Sequence, residues 1–255
     1  MTAVGEGIAW TPELKFSTGR TVIDADSYNE WVFKEFPMLE DMEDATGDAH
    51  PNAIMKCGVK ISNEYYLIKN VMEPYTMRNT APFIFMPPRM EEVRNTLETF
   101  QGSKRGEVCF TDTVYVPVLI RVQRSPKVVM SATPMEIMSM RYGIKRSTGN
   151  TIVGGMGIGW LAKNVLRRKK VKHVTVVDID EGVLNYWGKY LRDEFGDKVT
   201  LVHADIYDYL NEKQPEFDRL LMDIWDSNSN WEFDRKFREV RNQHESIKLW
   251  WWGSC

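Results

Sequence analysis

Three clusters of residues in the second half of the chain have the types and spacing to do chemistry. The first is Gly154-Gly155-Met156-Gly157-Ile158-Gly159, between an apolar β-type run and a helical run. Glycines there let the backbone turn tightly and approach a ligand without Cβ clashes. The helix that follows offers free N–H groups and a positive dipole end. The second cluster is Val177-Asp178-Ile179-Asp180. An acid at the tip of a second strand accepts hydrogen bonds from both ribose hydroxyls, while Asp180 suits the cap of a helix opening at Glu181. The third is Val202-His203-Ala204-Asp205-Ile206. Asp205 can accept from an adenine amino group, and the Ile206 N–H can reach the ring nitrogen. Glycines, an acid and an acid on three successive strand tips point to a nucleotide-type ligand. Gly155, Gly157 and Gly159 are spaced GxGxG, not the GxGxxG of a dinucleotide site. Trp160 adds bulk where a pyrophosphate loop wants slack, and no GxxxxGK[ST] occurs.

These tips need a scaffold, and the pattern supplies one from about Thr148 onward. TIVGG reads as a buried strand, WLAKNVLRRKK as a helix and HVTVVDID as a strand. EGVLNYWGKYLRDEF reads as a helix, KVTLVHAD as a strand, IYDYLNEK as a short helix and FDRLLMDIWD as a strand. Such alternation means an α/β parallel sheet with helices on its faces. Residues 245–252, with Trp250-Trp251-Trp252, are expected as a fifth strand near an edge.

The region before it reads as α+β. A helix is expected over Ser27–Asp44, strands within 56–72, a helix over Arg89–Phe100 after Pro88, and a β stretch over 108–122. Pro117 is expected there at an edge or bulge. Thr133-Pro134-Met135-Glu136 predicts a helix start, with Thr133 accepting from the N3 amide and Glu136 completing a capping box. The expected division is an N-terminal α+β region, 1–130, and a Rossmann-like domain, 131–255.

Residues 150–226 resemble the class I S-adenosylmethionine-dependent methyltransferase fold, and VTVVDIDEGVL resembles the spermidine-synthase-like branch within it. The resemblance implies a sheet of order 3-2-1-4-5. It implies Gly155, Gly157 and Gly159 beside the methionine portion of S-adenosylmethionine or its decarboxylated form, Asp178 at the ribose and Asp205 with Ile206 at the adenine. The chain stops at Cys255, so the two strands that normally follow the fifth are expected to be missing. The N-terminal region is then expected to cover the surface they would protect. Asp223-Ile224-Trp225-Asp226 resembles the acidic pair with which aminopropyltransferases hold and deprotonate an amine, which implies catalytic roles for Asp223 and Asp226. Two features depart from that branch. Asn228-Ser229-Asn230 stands where a proline–glycine segment normally follows, and MSATPMEIMSM replaces its glutamine–threonine–glutamate–aspartate stretch. Met130–Met140 is expected as a lid.

The resulting expectation is S-adenosylmethionine-dependent group transfer, with a methyltransferase first. Aminopropyl transfer, or a non-catalytic interaction protein on the same scaffold, is the alternative. The 255 residues carry a net charge of -3, which favours a small-molecule acceptor over nucleic acid. Arg167-Arg168-Lys169-Lys170 is read as cations at a helix end. Cys57, Cys109 and Cys255 form no metal or disulfide spacing, and His50, His173, His203 and His244 do not cluster, so no metal site is expected. No apolar run approaches the length of a membrane span, and no signal-peptide pattern opens the chain, so a cytoplasmic setting is expected.

Overall fold

The computed structural model describes residues 20–45, 51–73, 78–79, 107–123, 126–213, 215–224, 235–236, 238–240, 242 and 248–251. The helix expected over Arg89–Phe100 lies outside them, as do Trp225, Asp226 and Trp252.

The second half builds the expected sheet. Strands β9 (Gly149–Gly154), β10 (Val171–Asp178), β11 (Val199–His203), β12 (Arg219–Met222) and β13 (Lys248–Trp251) run in the order β11-β10-β9-β12-β13. Every pair is parallel. Numbered from β9, this is 3-2-1-4-5, the α/β Rossmann-like arrangement that the sequence pattern implied. The strands are apolar toward their C-terminal halves, in Ile152-Val153, Val176-Val177 and Leu220-Leu221-Met222, where both faces are covered. Val153, Val176 and Leu221 enter one core, while Ile152, Val177, Leu220 and Met222 enter the other. Adjacent residues thus part to opposite faces, as a pleated strand requires.

Six helices are described: α1 (Ala25–Glu35), α2 (Pro51–Cys57), α3 (Pro134–Arg146), α4 (Trp160–Leu166), α5 (Glu181–Phe195) and α6 (Ile206–Lys213). None is long and apolar enough to cross a membrane. Helix α1 opens at Asp24, whose carboxylate accepts from the Ser27 N–H at 2.9 Å. It closes at Glu35, well short of the expected Asp44, because Pro37 opens a separate 3-10 turn. Proline has no N–H to continue the ladder and disfavours helical backbone just before it. Lys56 and Cys57, expected in a strand, end α2 instead.

The N-terminal strands form two further sheets. One has the order β2 (Asp44–Ala45), β4 (Tyr65–Met72), β7 (Val114–Arg121), β8 (Lys127–Ser131), with β3 (Val59–Lys60) beside β4. The other is β1 (Arg20–Ile23), β6 (Glu107–Phe110), β5 (Arg78–Asn79). The stretch 108–122 is therefore two strands in two sheets. Thr111 is tied to Ile23 and Ala25 at 3.0 Å each, and Asp112 accepts from the Thr113 N–H at 2.7 Å, so the chain bends between them.

Pro117 is not at an edge: β7 lies between β4 and β8. Its carbonyl accepts from the Ala132 N–H at 3.0 Å. The donor that proline lacks is replaced by the buried Tyr28 hydroxyl, which donates to the Ala132 carbonyl at 2.7 Å. A ladder position missing one N–H is thereby satisfied from α1.

The same core runs through both regions. Tyr28, Trp31, Phe36 and Leu119 share it with Met156, Trp160, Leu161 and Trp187. Trp31 meets Trp160 edge-on at 6.3 Å, and Phe36 meets Trp187 at 6.1 Å. The buried Glu35 carboxylate joins Arg167 at 2.7 Å and Lys163 at 3.2 Å. Among the described residues, these N-terminal contacts fall on α4 and α5, not on the β13 edge where the sequence expected cover.

Candidate functional site

Strand order reverses between β9 and β12, the place where open α/β sheets bind ligands. The mouth is held tightly. The Gly155 N–H donates to Val177 O and the Asp223 N–H to Gly154 O, both at 2.8 Å. Gly155 has φ +92°, and a Cβ there would sit 2.2 Å from the Asp223 carbonyl oxygen. Only glycine fits. Around these tips lies a crevice of about 240 Å³.

Gly155, Gly157, Asp178, Asp205, Ile206 and Asp223 all line it. Gly159 does not. It takes φ +73° as the N-cap of α4, and a Cβ there would meet Trp187 at 3.2 Å. Packing explains that glycine. Trp160 is likewise 2% exposed, turned into the core against Trp31, so its bulk does not weigh against a dinucleotide. Asp226 lies outside the described residues.

Asp178 was expected to spend its two oxygens on a ribose. In the structure one accepts from the Met156 N–H at 2.6 Å and the other from the Asp180 N–H at 2.8 Å. It ties the glycine loop to its own strand tip. Burial pushes its carboxyl up, partly offset by those two bonds. Asp180 caps α5 through the Val183 N–H at 2.8 Å, as expected, and also lines the crevice. Asp205 caps α6, accepting from the Tyr207 N–H at 2.7 Å.

Asp223 has a different environment. Its Oδ2 is buried without a hydrogen-bond partner among the described residues. Burial, then the neighbouring Glu136 carboxylate, pushes it up to about 8. Burial pushes Glu136 up to about 7 against the pull of Ser131. Two carboxyls that cannot both ionise comfortably therefore stand at the mouth between β9 and β12. Glu136 was read only as half of a capping box. Its carboxylate accepts from the Ser131 N–H at 2.7 Å, and Thr133 makes no side-chain cap bond.

The sequence did not assign the crevice wall given by Tyr65, Leu119 and Val129 of the N-terminal sheet; Met130, expected in a lid, lines it beside them. Met130 packs against Gly157, whose Cβ would lie 3.0 Å from the methionine Cε. Within the Met130–Met140 segment, Met130 lines the crevice while Ile137 and Met140 are 1% exposed in the core.

The topology defines a Rossmann-like, methyltransferase-type α/β fold, with the crevice at its switch point. Within it, residues 145–244 match the spermine/spermidine synthase domain. A polyamine aminopropyltransferase of Saccharolobus islandicus is 36% identical over 111 residues, 38% of this chain and 37% of that protein. One of Ruegeria sp. is 36% identical over 135 residues, 51% of this chain and 45% of that protein. The chain spans less than half the length of these curated relatives. Among solved structures, a spermidine synthase from Thermotoga maritima has TM-score 0.33 and 16% identity, covering 49% of each chain. A dimethyladenosine transferase from Plasmodium falciparum has TM-score 0.35 and 19% identity, covering 44% of this chain and 39% of that one. The expectation of methyl transfer is corrected by the matched domain and the named relatives, which stand on the aminopropyl side.

Proposed function

We propose that the protein transfers an aminopropyl group from decarboxylated S-adenosylmethionine to an amine of a polyamine. The observation that carries this reading is the charge of the crevice. Asp178, Asp180, Asp205 and Asp223 line it, and among the described residues no lysine, arginine or histidine does. The carboxylate of intact S-adenosylmethionine would enter an acidic crevice that, among the described residues, offers it no cationic side chain. The decarboxylated form presents only positive charge there, as does a polyamine. The named relatives and the matched domain support the same reading.

The decarboxylated sulfonium is already activated, so the chain's work is to hold the two cations in line. The amine nitrogen attacks the methylene carbon bonded to sulfur. The carbon–sulfur bond breaks, its electron pair stays on sulfur, and 5′-methylthioadenosine leaves. An ammonium must lose a proton before its nitrogen can attack, and Asp223 is the assigned base. Its buried Oδ2 lacks a partner among the described residues, and the arriving cation's charge favours the ionised form it needs. Gly155 and Gly157 give the donor's chain close backbone approach, while Asp205 and Ile206 hold the adenine.

The test is direct. Purified protein is incubated with decarboxylated S-adenosylmethionine and, in turn, putrescine, cadaverine and spermidine, and 5′-methylthioadenosine is measured by chromatography. Amine-dependent release is expected with the decarboxylated donor and none with S-adenosylmethionine. Absence of release with every amine overturns the reading.

A further inference from the structure

The acids at the tip of β10 are all engaged by the chain itself. Asp178 accepts from the Met156 and Asp180 N–H groups, one on each oxygen. Asp180 accepts from the Val183 N–H at 2.8 Å and from the Ser62 hydroxyl at 3.0 Å. Beside them stands Tyr65, half-buried at the start of β4 and part of the crevice wall. Its hydroxyl has no hydrogen-bond partner among the described residues. Burial pushes that hydroxyl up; Arg121 opposes this, and the carboxylates of Asp178 and Asp180 add to it. The hydroxyl therefore keeps its proton and is a donor.

Tyr65 is also held rigidly. Its carbonyl accepts from the Ile61 and Ser62 N–H groups at 2.9 and 3.2 Å. The Arg121 guanidinium lies 5.9 Å from the ring centroid and pairs with Glu64 at 2.6 Å. The turn below it is pinned to the start of α5, where a Cβ on Gly182 would come 2.4 Å from Ser62 Cβ. A fixed phenol with a free donor, lining the crevice beside two carboxylates held in place by the chain's own N–H groups, is a preorganised contact for a ligand hydroxyl.

We propose that Tyr65 positions the nucleoside end of the donor by hydrogen-bonding a ribose hydroxyl, so that the N-terminal sheet takes part in donor recognition. This rests on the adenosyl-ligand reading given under Proposed function. A buried polar contact of this kind discriminates strongly against a ligand lacking the matching hydroxyl.

The test uses the whole chain and calorimetry with 5′-methylthioadenosine and its 2′-deoxy and 3′-deoxy analogues. Tyr65→Phe keeps the ring and its Arg121 stacking. It is expected to weaken 5′-methylthioadenosine about three- to tenfold, the range for one neutral hydrogen bond. One of the deoxy analogues is expected to bind wild type more weakly and to be insensitive to the substitution. The melting temperature of Tyr65→Phe should match wild type. Unchanged affinity in Tyr65→Phe, or equal losses for all three ligands, overturns the assignment and leaves the adenosyl-ligand reading intact. Failure of wild type to bind any of the three overturns both.

Discussion

Asp223 and Glu136 set the behaviour of the site at the scale of single residues. Asp223 must be ionised to accept a proton, and it ionises only near pH 8. The kcat/KM for an amine should therefore fall as pH drops below about 8. Glu136→Gln removes the like charge that is the second cause of the shift, so the acid limb should move to lower pH, though only in part because burial remains. Asp223→Asn should cut turnover by about 10²–10⁴-fold while nucleoside affinity changes little. Its stability effect has a definite sign. A carboxyl raised in the fold binds more protons there than in the unfolded chain, so its contribution is present below pH 4 and lost as pH climbs through about 8. Asp223→Asn should then raise the melting temperature relative to wild type at pH 8 and hardly at pH 4. A loss of melting temperature at pH 8 would count against that burial. Asp178 is the contrasting acid. Because it holds two backbone N–H groups, Asp178→Ala should destabilise the fold by about 1–3 kcal/mol as well as weakening nucleoside binding. Chemical denaturation alongside ligand titration separates these losses.

At the scale of elements, two glycines of the loop should respond differently. Gly155→Ala drives a Cβ against the Asp223 carbonyl at 2.2 Å in a left-handed backbone. We expect a loss of at least about 2 kcal/mol. Gly157→Ala meets only the flexible end of Met130, so the cost should be about 1 kcal/mol, mainly backbone strain. Urea unfolding of both variants checks the ranking, and equal losses would refute it. Tyr28→Phe removes the donor that stands in for Pro117. With the Ala132 carbonyl left buried and unpaired, it should cost about 1–3 kcal/mol. The second-half elements were legible because strand and helix alternate with short connections, and α5 and α6 begin and end where periodicity put them. The first half was less so. Nothing in the run 108–122 announces that one β-rich stretch serves two sheets, since that depends on partners far away in sequence. Gly159 carried the same signal as Gly155, and only the position of Trp187 distinguishes a packing glycine from a ligand-facing one. Glu136 was hidden because a capping box and a buried carboxyl look alike in four letters.

For the whole molecule, the division at residue 130 was drawn from a change of pattern, and the core crosses it. Trp160 and Trp187 are 2% and 4% exposed because α1 covers them. Residues 131–255 expressed alone should leave these rings and the crevice wall of Tyr65, Leu119 and Met130 unsupplied. We expect such a fragment to lack a cooperative thermal transition and to bind no adenosyl ligand. A sharp transition in the fragment would show that the pattern boundary is also an energetic one.

The meeting of Trp31 with Trp160 and of Phe36 with Trp187 has a consequence in time. Synthesis runs from the amino end, so the rings of α1 emerge before the helices that receive them have been made. A domain that folds by itself can be finished as it leaves the ribosome. This one cannot: the early half waits with its aromatic surface uncovered until α5 has been translated. Pausing between the two halves should expose sticky intermediates, and uninterrupted translation should favour yield.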